Sequence, residues 1–279
     1  MNSRAWKLLK KERLFLVGLG IILTYSAVAL LAKFGMIASP WDQMVGKAYE
    51  APSFADYRLW FGTDYLGRSV LFKTIHGTRI AMSVGFVTCL ISTPVGVVLG
   101  ALAGYFGKWV DDGVVWFYTT LSSVPNIMLL MAIAYVMGRG IFGIYAALSV
   151  TAWVGLARVI RGEFMKHKTR EYVVAAQGLG ASHFSRIFRH ILPNVFHFVI
   201  INFSIQFVAA IKSEVILSFL GLGVQGQPSW GVMIDDSKLE LARGVWWQLA
   251  GATLGMLFIV LAFNVVGDAL RDALDPRIK

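Results

Sequence analysis

Few residues in this chain could do chemistry, and their spacing limits what that chemistry can be. His183, His190 and His197 recur every seven residues, which invites a metal reading. Pro193 interrupts the stretch, and no carboxylate or cysteine joins the set, so no known ligand pattern is met. Gly107-Lys108 is the nearest approach to a phosphate-cradling loop. It lacks the earlier glycine and is followed by Trp109, so the chain has no P-loop for ATP. Neither H-E-x-x-H nor G-x-S-x-G occurs, which leaves no hydrolytic set. The remaining polar candidates are Asn202, Gln206, Lys212 and Glu214, all within one apolar stretch. Lys212 and Glu214 are two apart, so they do not face each other on a helix, and each needs another partner or water.

The elements around these residues explain the shortage of chemistry. Of 279 residues, 57% are apolar and only 15% are charged, with a mean hydropathy of +0.64. Such a chain cannot cover its surface with polar groups, so lipid must be part of its solvent. Uncharged runs occupy Leu14–Ala32, Ile80–Phe106, Gly113–Gly138, Ile141–Ala157, Ile191–Ile211 and Gly244–Gly267. About 20 apolar residues cross a bilayer as a helix. The sequence therefore predicts an all-α, polytopic membrane protein with six spans. These lie near 14–32, 80–106, 113–138, 141–157, 194–220 and 244–267, the fifth continuing past Lys212 and Glu214. Residues 1–13 form a basic tail before the transmembrane domain, 14–279.

The net charge of +10 first suggests nucleic acid, but the positions of the charges argue otherwise. With the N-terminus inside, sixteen of the 26 Lys and Arg residues fall in inside segments and seven outside. Both termini are then cytoplasmic, and the basic surplus is topological. The first span resembles a signal peptide, with Ala27-Val28-Ala29 as a cleavage-like site. Its 19 uncharged residues exceed the usual apolar region, so an uncleaved span is expected. Cys89 is the single cysteine and lies in an apolar run, which excludes a disulfide scaffold.

Between the spans, Phe61–Ser69 (FGTDYLGRS) reads as a turn feeding a helix on the outer side. Ser92, Gly96, Gly100 and Gly104 make a stripe where another helix can approach closely. Pro94 and Pro125 should kink the second and third spans. The inside stretch 158–193 is too long for a tight turn and too patterned for a linker. It should hold two short helices with apolar positions, Ser182 capping the second. Ala176 and Gly180 form a small, flat patch on the first. Pro193 is expected to break the second helix or start span five. Apolar faces on an inside loop imply either a partner or folding back onto the spans.

Glu171-Tyr172-Val173-Val174-Ala175-Ala176-Gln177-Gly178-Leu179-Gly180-Ala181-Ser182, then His190-Ile191-Leu192-Pro193-Asn194, resembles the EAA loop of bacterial ABC-importer permeases. Phe61–Ser69, Leu217–Gly231 and Ala262–Lys279 also match, in the expected order. The resemblance is closest to the second permease of the dipeptide/oligopeptide/nickel group. It implies a MetI-like fold in the bacterial inner membrane and a heterodimer with a second, homologous permease. It also implies two cytoplasmic ATPases, which bind ATP and Mg, and an extracytoplasmic solute-binding protein. This chain would bind no cofactor and no nucleic acid, and would be a non-catalytic subunit. The EAA loop of each permease would lie in a groove of an ATPase, so the resemblance assigns coupling to Glu171, Tyr172, Ala175, Ala176, Gly180, Ala181, Ser182 and Pro193. One departure matters. The general motif has glutamate directly before the two alanines, where this chain has Val174, so a contact from a glutamate at that position is not carried over.

Two rival readings remain. An ion-coupled transporter or channel would use Lys212 and Glu214 as its coupling pair, but acidic groups in the spans are few and no inverted repeat is visible. An intramembrane enzyme lacks a catalytic set. Intramembrane polar and ionisable groups usually line an interior, so Asn202, Gln206, Lys212 and Glu214 are candidates for a pathway or outer gate.

Overall fold

The computed structural model describes residues 9–274. Most of the expected basic tail, and the last residues of the Ala262–Lys279 stretch, therefore lie outside the described residues. The elements are helices: α1 (Arg13–Lys33), α2 (Val70–Phe106), α3 (Lys108–Ser122), α4 (Asn126–Val136) and α5 (Ile141–His167). They continue with α6 (Glu171–Gly178), α7 (His183–Phe219), α8 (Trp230–Leu241) and α9 (Trp247–Leu274). Among the described residues only two isolated β-bridges occur, Met44 with Arg68 and Thr63 with Ser69. Helices α1, α2, α5, α7 and α9 are each long and apolar enough to span a bilayer, and α3 with α4 makes a sixth if the bent pair is counted as one span.

That break has a local cause. The two halves bend by 87°, and Pro125 is the N-cap of α4. Proline clashes with a helical residue before it, so α3 ends at Ser122 and the chain restarts after Pro125. Pro94 behaves differently. It lies inside α2, which runs unbroken for 37 residues. Helix α5 runs on to His167, well into the stretch expected to be loop, because Arg158, Arg161 and Lys166 favour helix. Arg161 is also pinned to Asp111 of α3, at 2.5 and 2.7 Å.

The small-residue stripe faces α5 of the same chain. A Cβ at Gly100 would lie 2.6 Å from the Ala157 carbonyl oxygen, and one at Gly104 would lie 2.5 Å from that of Arg161. The backbones thus approach closer than any side chain would permit. One apolar core joins α1, α2, α7, α8 and α9 around Trp230, Phe207 and Ile259. Outward-facing Leu23, Leu90, Trp116, Phe142 and Leu257 are all exposed, as suits a surface solvated by lipid.

Candidate functional site

At one end of the bundle, α6 and the start of α7 form an elbow. Val173 of α6, with Ile187 and Ile191 of α7, buries into a cluster containing Leu156, Ile160, Phe164 and Val195, and Ala176 is buried as well. The turn between the helices is fixed by backbone hydrogen bonds. The Gly180 amide donates to the Gln177 carbonyl, and the Ala181 amide to that of Ala176. This is a Schellman motif, and its left-handed residue is Gly180, at φ +80°. Ser182 then caps α7, accepting from the Ser185 amide at 3.2 Å. Arg186 donates to Gln177 at 2.7 Å and locks the two arms together.

The outer face of this elbow is apolar and has no partner within the chain. Leu179 is 90% exposed, Phe184 70% and Val174 55%. Glu171, Tyr172, Ala175 and Gly180 are exposed on the same elbow, and nothing lies within 4 Å of a Cβ placed on Gly180. The elbow is therefore a rigid base carrying an open surface. Tyr172 turns the other way and hydrogen-bonds His167 at 2.7 Å, and burial pushes its phenol up from the usual value. Pro193 does not interrupt the run of α7, but it stands in the first turn of that helix's regular α-helical part, Leu192–Phe219, directly after a π-helical turn at Arg186–Ile191.

The polar candidates of α7 separate into different places. Asn202 and Ile205 are shared by two cavities that line one side of the helix. The larger, about 930 Å³, lies between α5, α7 and α9 at the elbow end, and the smaller, about 260 Å³, lies deeper, beside Asn126 and Thr151. Gln206 is buried and ties three helices, donating to Ser92 Oγ at 2.9 Å and to the Ala152 carbonyl at 2.7 Å. Lys212 is exposed, while Glu214 is fully buried. Glu214 Oε1 accepts from Ser218 at 2.7 Å, and Oε2 has no hydrogen-bond partner. The two residues thus sit on different faces, and an ion-coupling pair does not form.

A third arrangement, at the opposite end, was not anticipated from sequence. Lys73, at the start of α2, is only 2% exposed. Its ammonium donates to Gln248 at 2.7 Å, to Asp64 at 3.1 Å and to Asp236 at 3.4 Å. Asp64 also takes Arg68 at 2.7 Å. Burial alone would raise the Asp64 carboxyl, but Lys73 and Arg68 outweigh it and hold it below the usual range. Glu240 is buried nearby with neither oxygen hydrogen-bonded. Burial pushes its carboxyl up to about 7; Lys73 opposes that shift, and Asp236 and Asp64 add to it. This network joins the 61–69 turn to α2, α8 and α9. Asp64 falls within FGTDYLGRS, which was the one available signal.

A lipid-solvated helical bundle with cavities along one helix and an open apolar elbow is the architecture of a membrane-transport subunit. Comparison with known proteins narrows that class. Residues 96–279 match the family model of the binding-protein-dependent transport system inner membrane component, and the chain belongs to that family. It is 39% identical over 276 residues to the dipeptide transport system permease protein DppC of Bacillus subtilis, covering 99% of this chain and 85% of that protein. Identity to the oligopeptide permease protein OppC of the same species is 34% over 272 residues, covering 97% of this chain and 88% of that protein. Identity to the glutathione permease protein GsiD of Pectobacterium atrosepticum is 34% over 249 residues, covering 86% and 82%. The fold matches a chain of the MetNI methionine ABC transporter in its inward-facing conformations, at TM-score 0.56 and 17% identity, over 74% of this chain and 94% of that one. The chain is a multi-pass, non-catalytic permease subunit of an ABC importer.

Proposed function

We propose that this chain forms half of a peptide pathway across a bacterial inner membrane, with a second homologous permease supplying the other half. Two cytoplasmic ATPases bind ATP and Mg, and an extracytoplasmic binding protein delivers the cargo. Both termini face the cytoplasm, as the sixteen-to-seven distribution of Lys and Arg requires. The elbow end is then cytoplasmic, and the Lys73 network lies outside. The observation that carries the reading is the elbow: three apolar side chains exposed on a helix pair whose other face is buried in the core. A monomer has no use for such a surface, whereas a docking partner does. The peptide class rests on the dipeptide and oligopeptide relatives.

The cavities along α7 suit the pathway. They run from Asn194 at the elbow end towards Ser213, along one side of the helix. Lys212, exposed near the outer end of the helix, is a costly residue to leave in lipid, and a water-filled path removes the cost. The test is reconstitution with the cognate ATPases, permease partner and binding protein. Dipeptide uptake should require ATP and persist when the proton gradient is collapsed. Uptake that follows the proton gradient and ignores ATP would refute the assignment.

A further inference from the structure

We infer that the cavity between α5, α7 and α9 at the elbow end is a binding site for the anionic head of an amphiphilic molecule, a carboxylate or a phosphate held between Arg170 and Arg271. The inference rests on the reading that this chain lines a solute path, and goes beyond it by assigning chemistry to one section of the wall. At about 930 Å³ the cavity is large enough for a small peptide or a lipid head group.

Its lining is electrically lopsided. Three permanent cations, Lys166, Arg170 and Arg271, border it, against one carboxylate, Glu163. Glu163 is already paired with Lys166 at 2.7 Å, so that charge is cancelled locally. The two guanidinium groups remain. Among the described residues neither makes an ion pair, and Asp268, three residues before Arg271 on α9, is not bonded to it. Two free planar donor forks beside one cavity match the geometry of a carboxylate or phosphate better than that of any neutral group.

The rest of the lining fits an amphiphile. Phe198, Ile201 and Ile205 form an apolar wall next to the charged rim. A ligand with a charged head and an apolar body would satisfy both parts at once. His167, which also lines the cavity, bonds Tyr172 of the coupling helix, so an occupant would touch a residue fixed to the elbow.

Such a head group could come from the C-terminus of a peptide or from an anionic lipid, and the experiment separates them. The complete transporter would be placed in phosphatidylcholine nanodiscs. Binding of dialanine and of dialanine amide would be measured by isothermal titration, and bound phosphatidylglycerol by native mass spectrometry after lipid exchange. Arg170→Gln/Arg271→Gln should weaken dialanine or phosphatidylglycerol about tenfold or more, the size expected for losing charge-assisted hydrogen bonds. Arg170→Lys/Arg271→Lys should recover part of that loss. The amide should bind equally to every form. A carboxylate-dependent loss identifies the cargo as the source, and a loss of phosphatidylglycerol alone identifies lipid. Both side chains are exposed and unbonded, so the substitutions should leave the fold intact. Indistinguishable binding by wild type and the Gln variant in both arms would overturn the site. ATP-driven uptake by the same wild-type preparation tests the permease assignment independently, so the two can fail separately.

Discussion

Leu179 offers a direct test of the elbow. It is 90% exposed at the tip of the turn, so in the isolated chain its side chain contributes almost no packing. Leu179→Ser should therefore leave folding and membrane insertion unchanged, since no cavity forms and no hydrogen bond is lost. On docking, the same side chain passes from water into an apolar contact. Burying a leucine contributes about 1.5–3 kcal/mol, which corresponds to roughly a 10- to 150-fold change in affinity. A micromolar contact would then weaken to the range of about ten to a hundred micromolar or beyond, too weak to survive copurification. The assay has two readings on one detergent-solubilised sample: thermal stability of the permease pair, and ATPase retained by an affinity tag on this chain. The expected result is unaltered melting with most of the ATPase lost and ligand-stimulated ATP hydrolysis reduced in proportion. Full retention of the ATPase would refute docking through this surface. A large drop in melting temperature would show instead that Leu179 is needed for the chain's own fold.

Four further outcomes follow from the geometry. Gly180 is left-handed with open space at its Cβ, so Gly180→Asn should be mild, whereas Gly180→Asp adds an uncompensated charge to a desolvated contact, at a cost of about 3–5 kcal/mol; equal ATPase recovery from the two variants would leave only the backbone effect. Lys73→Met removes one of the two cations on buried Asp64, leaving Arg68, and strips Gln248 of its donor; it should cost about 1–3 kcal/mol, read as lower thermal stability, and wild-type stability would show that the network is not structural. For Glu240, whose carboxyl rises from 4.5 to about 7, the folded form keeps a proton that the unfolded chain has released. Stability should fall as pH rises from about 4.5 to 7 and flatten above, and Glu240→Gln should remove that slope from a series of melting curves. Cysteines at Phe54 and Leu239, 91% and 78% exposed, should react with an impermeant thiol reagent in intact cells, while one at Phe184 should not; labelling at Phe184 would invert the topology.

The lipid-facing parts of this molecule were legible because membrane spans announce themselves through long, uncharged runs. The bend at Pro125 was legible for a local reason too, since proline acts on its own helix and on the residue before it. Pro94 stands inside a helix instead: α2 runs unbroken through it, packed closely on α5 at Gly96, Gly100 and Gly104. The stretch 158–193 was legible as two short helices with apolar positions, but its ends were not. Charged Arg158 and Lys166 end an apolar run without ending a helix. Lys212 and Glu214 stood out together in sequence, yet a helix turns far enough in two residues to part them. Beyond Asp64 in FGTDYLGRS, the Lys73 network gave no signal, because its partners stand 9, 163 and 175 residues away, and only tertiary packing makes them neighbours.

Helix α7 has a mechanical consequence. It is one continuous piece of 37 residues, from the coupling elbow to Phe219 beside the outer loops. At 1.5 Å per residue that is a rod of roughly 55 Å, so a tilt of about one degree at its base displaces its far tip by about 1 Å. The π-helical turn at Arg186–Ile191 lies within the first quarter of the rod, where the hydrogen-bond ladder is already irregular and bends most readily. If the elbow is driven as proposed, the rod would act as a lever with its fulcrum close to the driven end, and a small angle imposed there would become ångström-scale travel at the far tip.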